Sequence, residues 1–243
     1  MNLTVLDLSF SFGEKEDHLY PVLLQYDQEA ILVDCGYAGF VPLLEKALQK
    51  QGVSLNNLTG LLITHHDIDH MGGAYELKEA CSDIKIYTYV GEGAYVSGRE
   101  KSLRLQQAED LFEGLPEEQK PGALAFQELL KSMRHVQVDA EFTDNEEPAV
   151  LPGVQVLHTP GHMPGHISLY VKESKTLVAA DALVYQNGEL EIANPSFTLD
   201  LPRAIASIKR LQQLDINRII CYHGGVVESD IQLKLRQLLA RYS

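Results

Sequence analysis

The sequence contains no tryptophan and little cysteine: its 243 residues include only Cys35, Cys81 and Cys221. The three cysteines are widely spaced in apolar surroundings, which is typical of reduced, buried thiols and argues against a disulfide-stabilised secreted domain. Cys221 stands two residues before His223, so a zinc thiolate is a minor alternative there, and it requires a regular strand. The cysteine content indicates a reducing compartment, and we expect the protein in the cytoplasm.

Long hydrophobic runs and positive charge are also scarce. No apolar run reaches the roughly 18 residues that suggest a membrane-spanning helix, and no basic leader precedes an apolar stretch. Against 34 Asp and Glu there are 20 Lys and Arg, a formal net charge of −14, and no basic cluster is present to hold a phosphate backbone. We expect a small-molecule substrate, no nucleic acid and no membrane. The substrate can still be anionic, because bound divalent ions would locally offset the acidity.

The length bounds the architecture. A chain of 243 residues is long enough for one α/β domain with a substantial core and too short for a second large domain. We therefore expect residues 1–243 to form a single domain. The oligomeric state is open, with a homodimer as one option.

The most informative segment is Thr64-His65-His66-Asp67-Ile68-Asp69-His70, which follows an apolar run and precedes a Met-Gly-Gly turn. It places five titratable side chains on one strand-to-helix turn. Imidazole and carboxylate groups are preferred ligands of zinc, iron and manganese, and a tight turn can direct alternate side chains towards one centre. Taken alone, the segment is also compatible with a solvated polar turn.

Three later segments favour the metal interpretation, because each places a potential ligand just after a β-branched or aliphatic run. They are Thr159-Pro160-Gly161-His162, Ala180-Asp181-Ala182 and Cys221-Tyr222-His223-Gly224-Gly225. Ligands at strand ends in both halves of the chain would meet along one edge of the fold.

Five segments follow one another along the chain: Asp34-Cys35-Gly36, the H-x-D-x-D-H segment, His162, Asp181 and His223. In this order they resemble the five motifs of the metallo-β-lactamase superfamily over roughly residues 20 to 225. The resemblance implies a four-layer αββα sandwich, of α/β class, with a dinuclear metal site. Carried over by position, it implies that His65, Asp67 and His162 hold the first ion and that Asp69, His70 and His223 hold the second. Asp181 would bridge the two.

Asp67 departs from the family pattern, because it stands where the common motif has its second histidine. An anionic oxygen replaces a neutral nitrogen, so manganese and iron remain open beside zinc. The extra negative charge should also leave bound water less acidified than in an all-imidazole site.

Hydrophobic patterning predicts two strand-rich halves, each closed by helices, as the resemblance requires. In the first half we expect strands over 3–8, 20–26, 30–34 and 60–64 and helices over 40–50 and 71–80. In the second half we expect strands over 154–158, 167–171, 176–180 and 218–222. One helix should begin after Asp200 as N-cap, and the last should begin at Ser229 with Gln232 completing a capping box.

The stretch from about 91 to 147 is rich in Glu, Gln, Lys and Ala and predicts a helical insertion. Residues 102–113 and 117–134 should be helical, with breaks at Leu115-Pro116 and Lys120-Pro121-Gly122. The insertion is either a solvated surface hairpin or, as in the resembled family, a cover that shapes the substrate pocket. Tyr95, Phe126 and Met133 are candidate lining, with core packing favoured for the last two.

Several residues near the motifs are expected to support the site. Asp34 suits an acceptor that fixes a ligand imidazole, although it can instead be a turn carboxylate. His66 should point away from the ligands on either side of it, and His166 should either support the ligands from behind or be structural. Tyr185 resembles the tyrosine with which lactonase-type relatives donate to a carbonyl oxygen, but its offset from Asp181 differs.

The resemblance thus implies a metal-dependent hydrolase that directs a metal-bridging hydroxide at a small lactone, ester or thioester. Its catalytic residues would be Asp69, which orients the nucleophile and relays its proton, together with Asp181 and Tyr185. Two divalent ions are the expected cofactors, with zinc first and manganese or iron open. One alternative is a phosphodiesterase, favoured by Asp67 and disfavoured by the acidity. The other is a di-iron oxidoreductase with a separate electron donor.

Overall fold

The structure is a computed structural model that describes residues 1–13 and 15–242. Its strands are β1 (Asn2–Val5), β2 (Leu8–Phe12), β3 (Lys15–Leu19), β4 (Val22–Tyr26), β5 (Glu29–Val33), β6 (Gly60–Leu62), β7 (Lys85–Tyr89), β8 (Ala140–Phe142), β9 (Val154–His158), β10 (Ile167–Val171), β11 (Thr176–Ala180), β12 (Val184–Gln186), β13 (Glu189–Glu191), β14 (Arg218–Cys221) and β15 (Gly225–Val227). Its α-helices are α1 (Val41–Lys50), α2 (Ile68–Met71), α3 (Ala74–Ala80), α4 (Gly93–Val96), α5 (Leu103–Asp110), α6 (Lys120–Lys131), α7 (Leu201–Leu211) and α8 (Ile231–Ala240). Within the described residues, no helix combines the length and the apolar character needed to cross a membrane.

Two sheets form the centre of the fold. The first has the strand order β1-β4-β5-β6-β7-β8 and the second the order β15-β14-β11-β10-β9. In the first sheet β5, β6, β7 and β8 run parallel to one another, and in the second only the β11–β14 pair is parallel. Parallel strands bring their carboxyl ends to one edge, so the loops that follow β6 and β11 can meet there.

Burial explains why the two sheets stack. Alternate side chains of both sheets fill one shared core, to which Ile31 and Leu62 contribute from the first sheet and Val156 and Ile220 from the second. Residues of α1 and α3 pack on the outer face of the first sheet, and residues of α7 and α8 on that of the second. The layer order is helix, sheet, sheet, helix, and the expected αββα sandwich is confirmed.

The elements agree closely with the predictions in the second half of the chain and less well at the start. Strands β9, β10 and β11 occupy the predicted residues. The strand predicted over 3–8 is wrong, because it is split into β1 and β2, and the β2–β3 hairpin was not predicted. The capping box at Ser229 is also wrong: α8 begins after Asp230, which adopts a left-handed backbone (φ 54°) and makes no side-chain cap.

The insertion between the halves contains more than helices. Strand β8 lies within it and pairs in parallel with β7, which extends the first sheet. The break predicted at Lys120-Pro121-Gly122 is wrong, because these residues form the first turn of α6. Proline is tolerated there, since the first-turn N–H groups have no partner within the helix.

Candidate metal centre

The turn after β6 carries the first group of polar side chains. Asp67 occupies the N-cap position of α2, but its side chain does not cap the helix. Gly72 permits the tight packing of this turn, because a Cβ there would lie 2.8 Å from the backbone nitrogen of Ala38. His65, Asp67, Asp69 and His70 are consequently held on one short, well-packed segment.

The other three side chains come from the loops after β9, β11 and β14. His162 follows Gly161, whose φ of 141° and close approach to Ala204 leave no room for a Cβ. Asp181 follows β11 at a point where the register with β14 shifts between Val178 and Ala180. The structure brings all seven predicted side chains together in three overlapping groups: His65, Asp67 and His162; His65, His70 and Asp181; Asp69, His70 and His223.

Two triads can be distinguished by their distances. In the first, Asp67 Oδ2 lies 2.9 Å from His162 Nε2 and 3.5 Å from His65 Nε2. In the second, Asp69 Oδ2 lies 3.1 Å from His223 Nε2 and 3.8 Å from His70 Nε2. Each triad presents one carboxylate oxygen and two imidazole nitrogens to a common point.

Asp181 lies between the two triads. Its Oδ1 is 3.2 Å from His70 Nε2 and 3.5 Å from His223 Nε2, whereas its Oδ2 is 3.5 Å from His162 Nε2. The two oxygens of one carboxylate therefore face different triads.

The pairing of buried atoms tests whether the cluster fits metal ions. His65 Nε2, His70 Nε2 and Asp181 Oδ1 are buried without a hydrogen-bond partner among the described residues. Buried polar atoms are normally paired, and unpaired nitrogens and oxygens that converge on one point are suited to a bound cation. Imidazole and carboxylate donors suit zinc, manganese and iron, so the cluster is able to bind metal ions.

Electrostatics keep three of the clustered side chains, His65, Asp67 and Asp181, in the forms that bind a cation. Burial and the charge of His70 lower the pKa of His65 to about 3. Burial would raise the pKa of Asp67, but contacts with His162 and His65 and the charge of Arg104 outweigh it and hold that pKa well below its usual range. Burial also opposes ionisation of Asp181, yet the charges of His223 and His70 keep its pKa well below the usual range. His65 is therefore neutral and both carboxylates are ionised at neutral pH, as metal ligation requires.

Hydrogen bonds orient the cluster from behind. Asp34 Oδ2 lies 2.8 Å from His70 Nδ1, in the supporting role predicted for it. His166 Nε2 accepts from the Asp181 backbone N–H at 3.0 Å, and its Nδ1 contacts Thr159. His66 points away from the triads to Glu92 Oε2, as predicted. These contacts hold the rings and the carboxylate in place, an arrangement typical of metal sites.

Arg104 was not predicted. It is buried on α5, and its Nε and Nη2 donate to Asp67 Oδ1 and Oδ2 at 3.0 Å and 2.7 Å. The two residues are 37 positions apart in the chain. No local pattern in the sequence relates an arginine on a helix to a distant turn, so only the folded structure reveals this pair.

A cavity of about 880 Å³ opens over the cluster. Five residues of the cluster line it: Asp67, Asp69, His162, Asp181 and His223. Its apolar and aromatic lining includes Tyr37, Phe126, Val184, Tyr185, Ile192 and Phe197. Phe126 lines the cavity and also packs against the core of the first half, as was favoured for it. Met133 packs in the core, and Tyr95 stacks on His66 with ring centroids 4.4 Å apart.

Tyr185, two further histidines and Cys221 lie in several environments. Tyr185 is at the cavity wall, with Lys234 Nζ 5.8 Å from its ring centroid. His158 stacks on Tyr89, and His18 contacts Asp7. Cys221 is buried and belongs to none of the three groups of potential metal ligands among the described residues.

A family model described as the metallo-β-lactamase superfamily matches residues 20–223. The chain is 28% identical over 211 residues to the probable metallo-hydrolase YflN of Bacillus subtilis (strain 168), covering 80% of this chain and 75% of that protein. It is 29% identical over 179 residues to the hydroxyacylglutathione hydrolase GloC of Haemophilus influenzae, covering 70% of each. The chain is 40% identical over 86 residues to an N-acyl homoserine lactonase of Bacillus sp, but this match covers only 33% of this chain and 34% of that enzyme.

Similarity to solved structures extends over nearly the whole chain. The metallo-beta-lactamase family protein TTHA1429 from Thermus thermophilus superposes with a TM-score of 0.76 at 26% sequence identity. The match covers 99% of this chain and 79% of that chain.

Proposed function

Because this chain belongs to the metallo-β-lactamase superfamily and is a metal-dependent hydrolase of that fold, we propose that it uses two divalent ions to hydrolyse a small ester-type substrate. Lactones, esters and thioesters form the substrate class. The observation that carries the proposal is the position of Asp181, whose Oδ1 faces His70 and His223 while its Oδ2 faces His162.

The proposed ligands divide as the triads do. His65, Asp67 and His162 would hold one ion, Asp69, His70 and His223 the other, and Asp181 would bridge them. Two such ions would supply an acidified water and would polarise the oxygen of the substrate. Zinc suits the imidazole-rich set, and Asp67 leaves manganese or iron as candidates.

Asp69 is the proposed proton acceptor. Its side chain lies at the cavity surface and is 16% exposed, so it is reachable by substrate, while its Oδ2 stays 3.1 Å from His223 Nε2. A carboxylate in this place can orient the nucleophile and take its proton, then return it to the leaving alkoxide or thiolate. No protein nucleophile is required.

The cavity supports an ester-type substrate with an apolar part. Aromatic and aliphatic side chains form much of its wall, and a wall of this kind suits the apolar part of a ligand. Tyr185 stands at this wall and is the proposed donor to the substrate carbonyl oxygen. The similarity to GloC and to a lactonase also supports thioesters and lactones as the first substrates to test.

Metal analysis followed by a substrate panel tests the proposal. Protein produced in metal-replete medium should contain two ions per chain, and chelation should lower its melting temperature, since the ions bind the native arrangement and scarcely the unfolded chain. The loaded protein should hydrolyse lactones or thioesters faster than phosphodiesters. A metal-free preparation from such medium would contradict the site.

The panel also separates the alternatives. A preference for phosphodiesters would favour the phosphodiesterase alternative that Asp67 suggests. Oxygen consumption that tracks turnover, together with bound iron, would establish the di-iron oxidoreductase instead. Hydrolysis that is independent of oxygen is the expected result.

A further inference from the structure

Arg104 and Asp67 form a planar, two-bond ion pair inside the candidate site. Arg104 is 3% exposed and Asp67 is 6% exposed, so both charges are removed from water. A buried charge is very unfavourable without its partner. Neither residue is therefore independent of the other.

Asp67 of this pair stands where the common family motif has a neutral histidine. Asp67 Oδ2 is the oxygen that faces His162 Nε2 and His65 Nε2, at 2.9 Å and 3.5 Å. Its negative charge is balanced by the guanidinium, whose Nη2 lies 2.7 Å from this same oxygen and 3.3 Å from His162 Nε2, so carboxylate and guanidinium together carry no net charge. An ion at this position would meet an oxygen whose charge is largely compensated.

The guanidinium is held in place by contacts on its other sides. Arg104 Nη1 donates to Gln107 Oε1 at 2.6 Å, and its guanidinium carbon lies 5.2 Å from the Phe197 ring centroid. The adjacent Leu103 N–H donates to His66 Nε2 at 3.3 Å. Two consecutive residues of α5 thus bind two consecutive residues of the ligand turn.

We propose that Arg104 is a positioning residue for the metal site, and that Asp67 and Arg104 act as one unit in place of the second histidine of the common motif. The inference rests on the proposed function, because it takes Asp67 as a ligand. It has a specific consequence: Asp67→His alone does not restore the common site, because it leaves a buried guanidinium without a partner beside the ion. The histidine becomes useful only when Arg104 is also replaced by an apolar side chain.

Four proteins test this: wild type, Asp67→His, Arg104→Met and the double variant. Zinc affinity is measured by competition with a chromogenic chelator, and the melting temperature is measured after metal removal. Asp67→His should lower zinc affinity about 10-fold or more. Each single variant should lower the metal-free melting temperature by about 5 °C or more, because each leaves a buried charge unpaired.

The decisive result is the sign of the Arg104→Met effect in the two backgrounds. In the wild type this substitution should lower the metal-free melting temperature. In the Asp67→His background it should raise both that temperature and the zinc affinity, bringing affinity to within a few-fold of wild type. Arg210→Met is the matched control. Arg210 lies on α7, pairs with Asp144 at 2.9 Å and contacts no proposed metal ligand among the described residues. Its replacement should leave zinc affinity unchanged.

Two failures can be told apart. If the wild type binds two zinc ions and the effects of the two substitutions on melting temperature and zinc affinity are additive, the pairing is overturned and the proposed function is left intact. A wild type that binds no zinc overturns the proposed function and this inference together.

Discussion

The Nδ1 of His70 lies 2.8 Å from Oδ2 of Asp34, a residue with a positive φ of 61° at the end of β5. The other oxygen of Asp34 accepts the Thr64 backbone N–H at 2.9 Å. Asp34, directly after β5, thus holds both the His70 ring and the start of the turn that carries His70. As a result, His70 Nε2 faces Asp181, which belongs to the other half of the fold.

Replacing Asp34 should weaken metal binding at the second triad. Asp34→Ala removes the acceptor that orients His70, and loss of such outer partners costs about 10- to 100-fold in metal affinity. Chelator competition with zinc measures the effect. Asp139→Ala is the control, since Asp139 accepts from Ile86 N–H far from the cluster. Unchanged affinity for both ions in Asp34→Ala would show that the contact is not needed.

Asp181→Asn tests the bridge. The substitution keeps the size of the side chain but removes the charge that faces both triads, so one ion should be lost and turnover should fall by more than about 100-fold, the upper end of what an outer partner contributes. Metal analysis and initial rates measure both effects, and circular dichroism checks the fold. Retention of two ions with full turnover would exclude the bridging role.

Tyr185→Phe tests the proposed donor to the substrate. Loss of one donor to a developing oxyanion costs about 100-fold in kcat, whereas the ring and its contact with Lys234 are kept. Metal content and melting temperature should stay at the wild-type values. If kcat is also unchanged, Tyr185 serves only as a wall of the cavity.

The stability of the chelated protein should fall as pH rises from about 7 to 8. Burial lowers the pKa of His70 and His223, but the charge of Asp181 and of other nearby carboxylates outweighs it, so both values are raised above the ordinary 6.5. The folded state therefore binds these protons more tightly than the unfolded state. Their stabilisation is complete below about pH 6.5 and is lost as pH rises through the raised values. The lowered pKa values of His65 and His166 act in the opposite direction, but their effect is nearly complete by about pH 7, above the ordinary histidine value. The depressed pKa values of Asp67 and Asp181 act at still lower pH.

Thermal melting in a chelator across this pH range provides the measurement. The metal-loaded protein should not show the same loss, because the ions replace the protons on these histidines. A chelated protein that becomes more stable as pH rises over the same range would contradict the assigned shifts.

Gly161→Ala should destabilise the fold and disturb His162. The new Cβ would lie 2.2 Å from the backbone nitrogen of Ala204 in α7, at a φ of 141°. Backbone strain alone costs about 1–3 kcal/mol, and the clash adds to it. Gly153→Ala is the control, because Gly153 has a φ of 79° but nothing within 4 Å of its Cβ. Equal losses in melting temperature for the two variants would rule out the clash with α7.

Local patterns in the sequence predict much of this molecule. Strands β9, β10 and β11 follow from short runs of β-branched and aliphatic residues between turn residues, because such runs are specified by their immediate neighbours. The seven clustered side chains follow from turns that end buried strands. Asp34 and His66 also take the orientations expected from alternation and from ligand support.

The errors lie where local patterning is weak. The Lys15–Leu19 strand is mostly exposed and carries charged residues, so it lacks the apolar alternation that marks a strand. The Lys-Pro-Gly sequence reads as a break, but tertiary packing of Gln127 and Leu130 carries α6 through it. At α8 the left-handed Asp230 replaces the expected serine cap.

By itself the sequence determined the family, the layered fold and the set of clustered imidazoles and carboxylates, because each motif is a short segment whose chemistry is carried by adjacent residues. Only the tertiary structure decided which oxygen of Asp181 faces which triad, which side chains form the cavity wall, and that Arg104 pairs with Asp67. These relationships join residues distant in the chain. They are set by the packing of α5 and of both sheets against one another, which no single segment specifies.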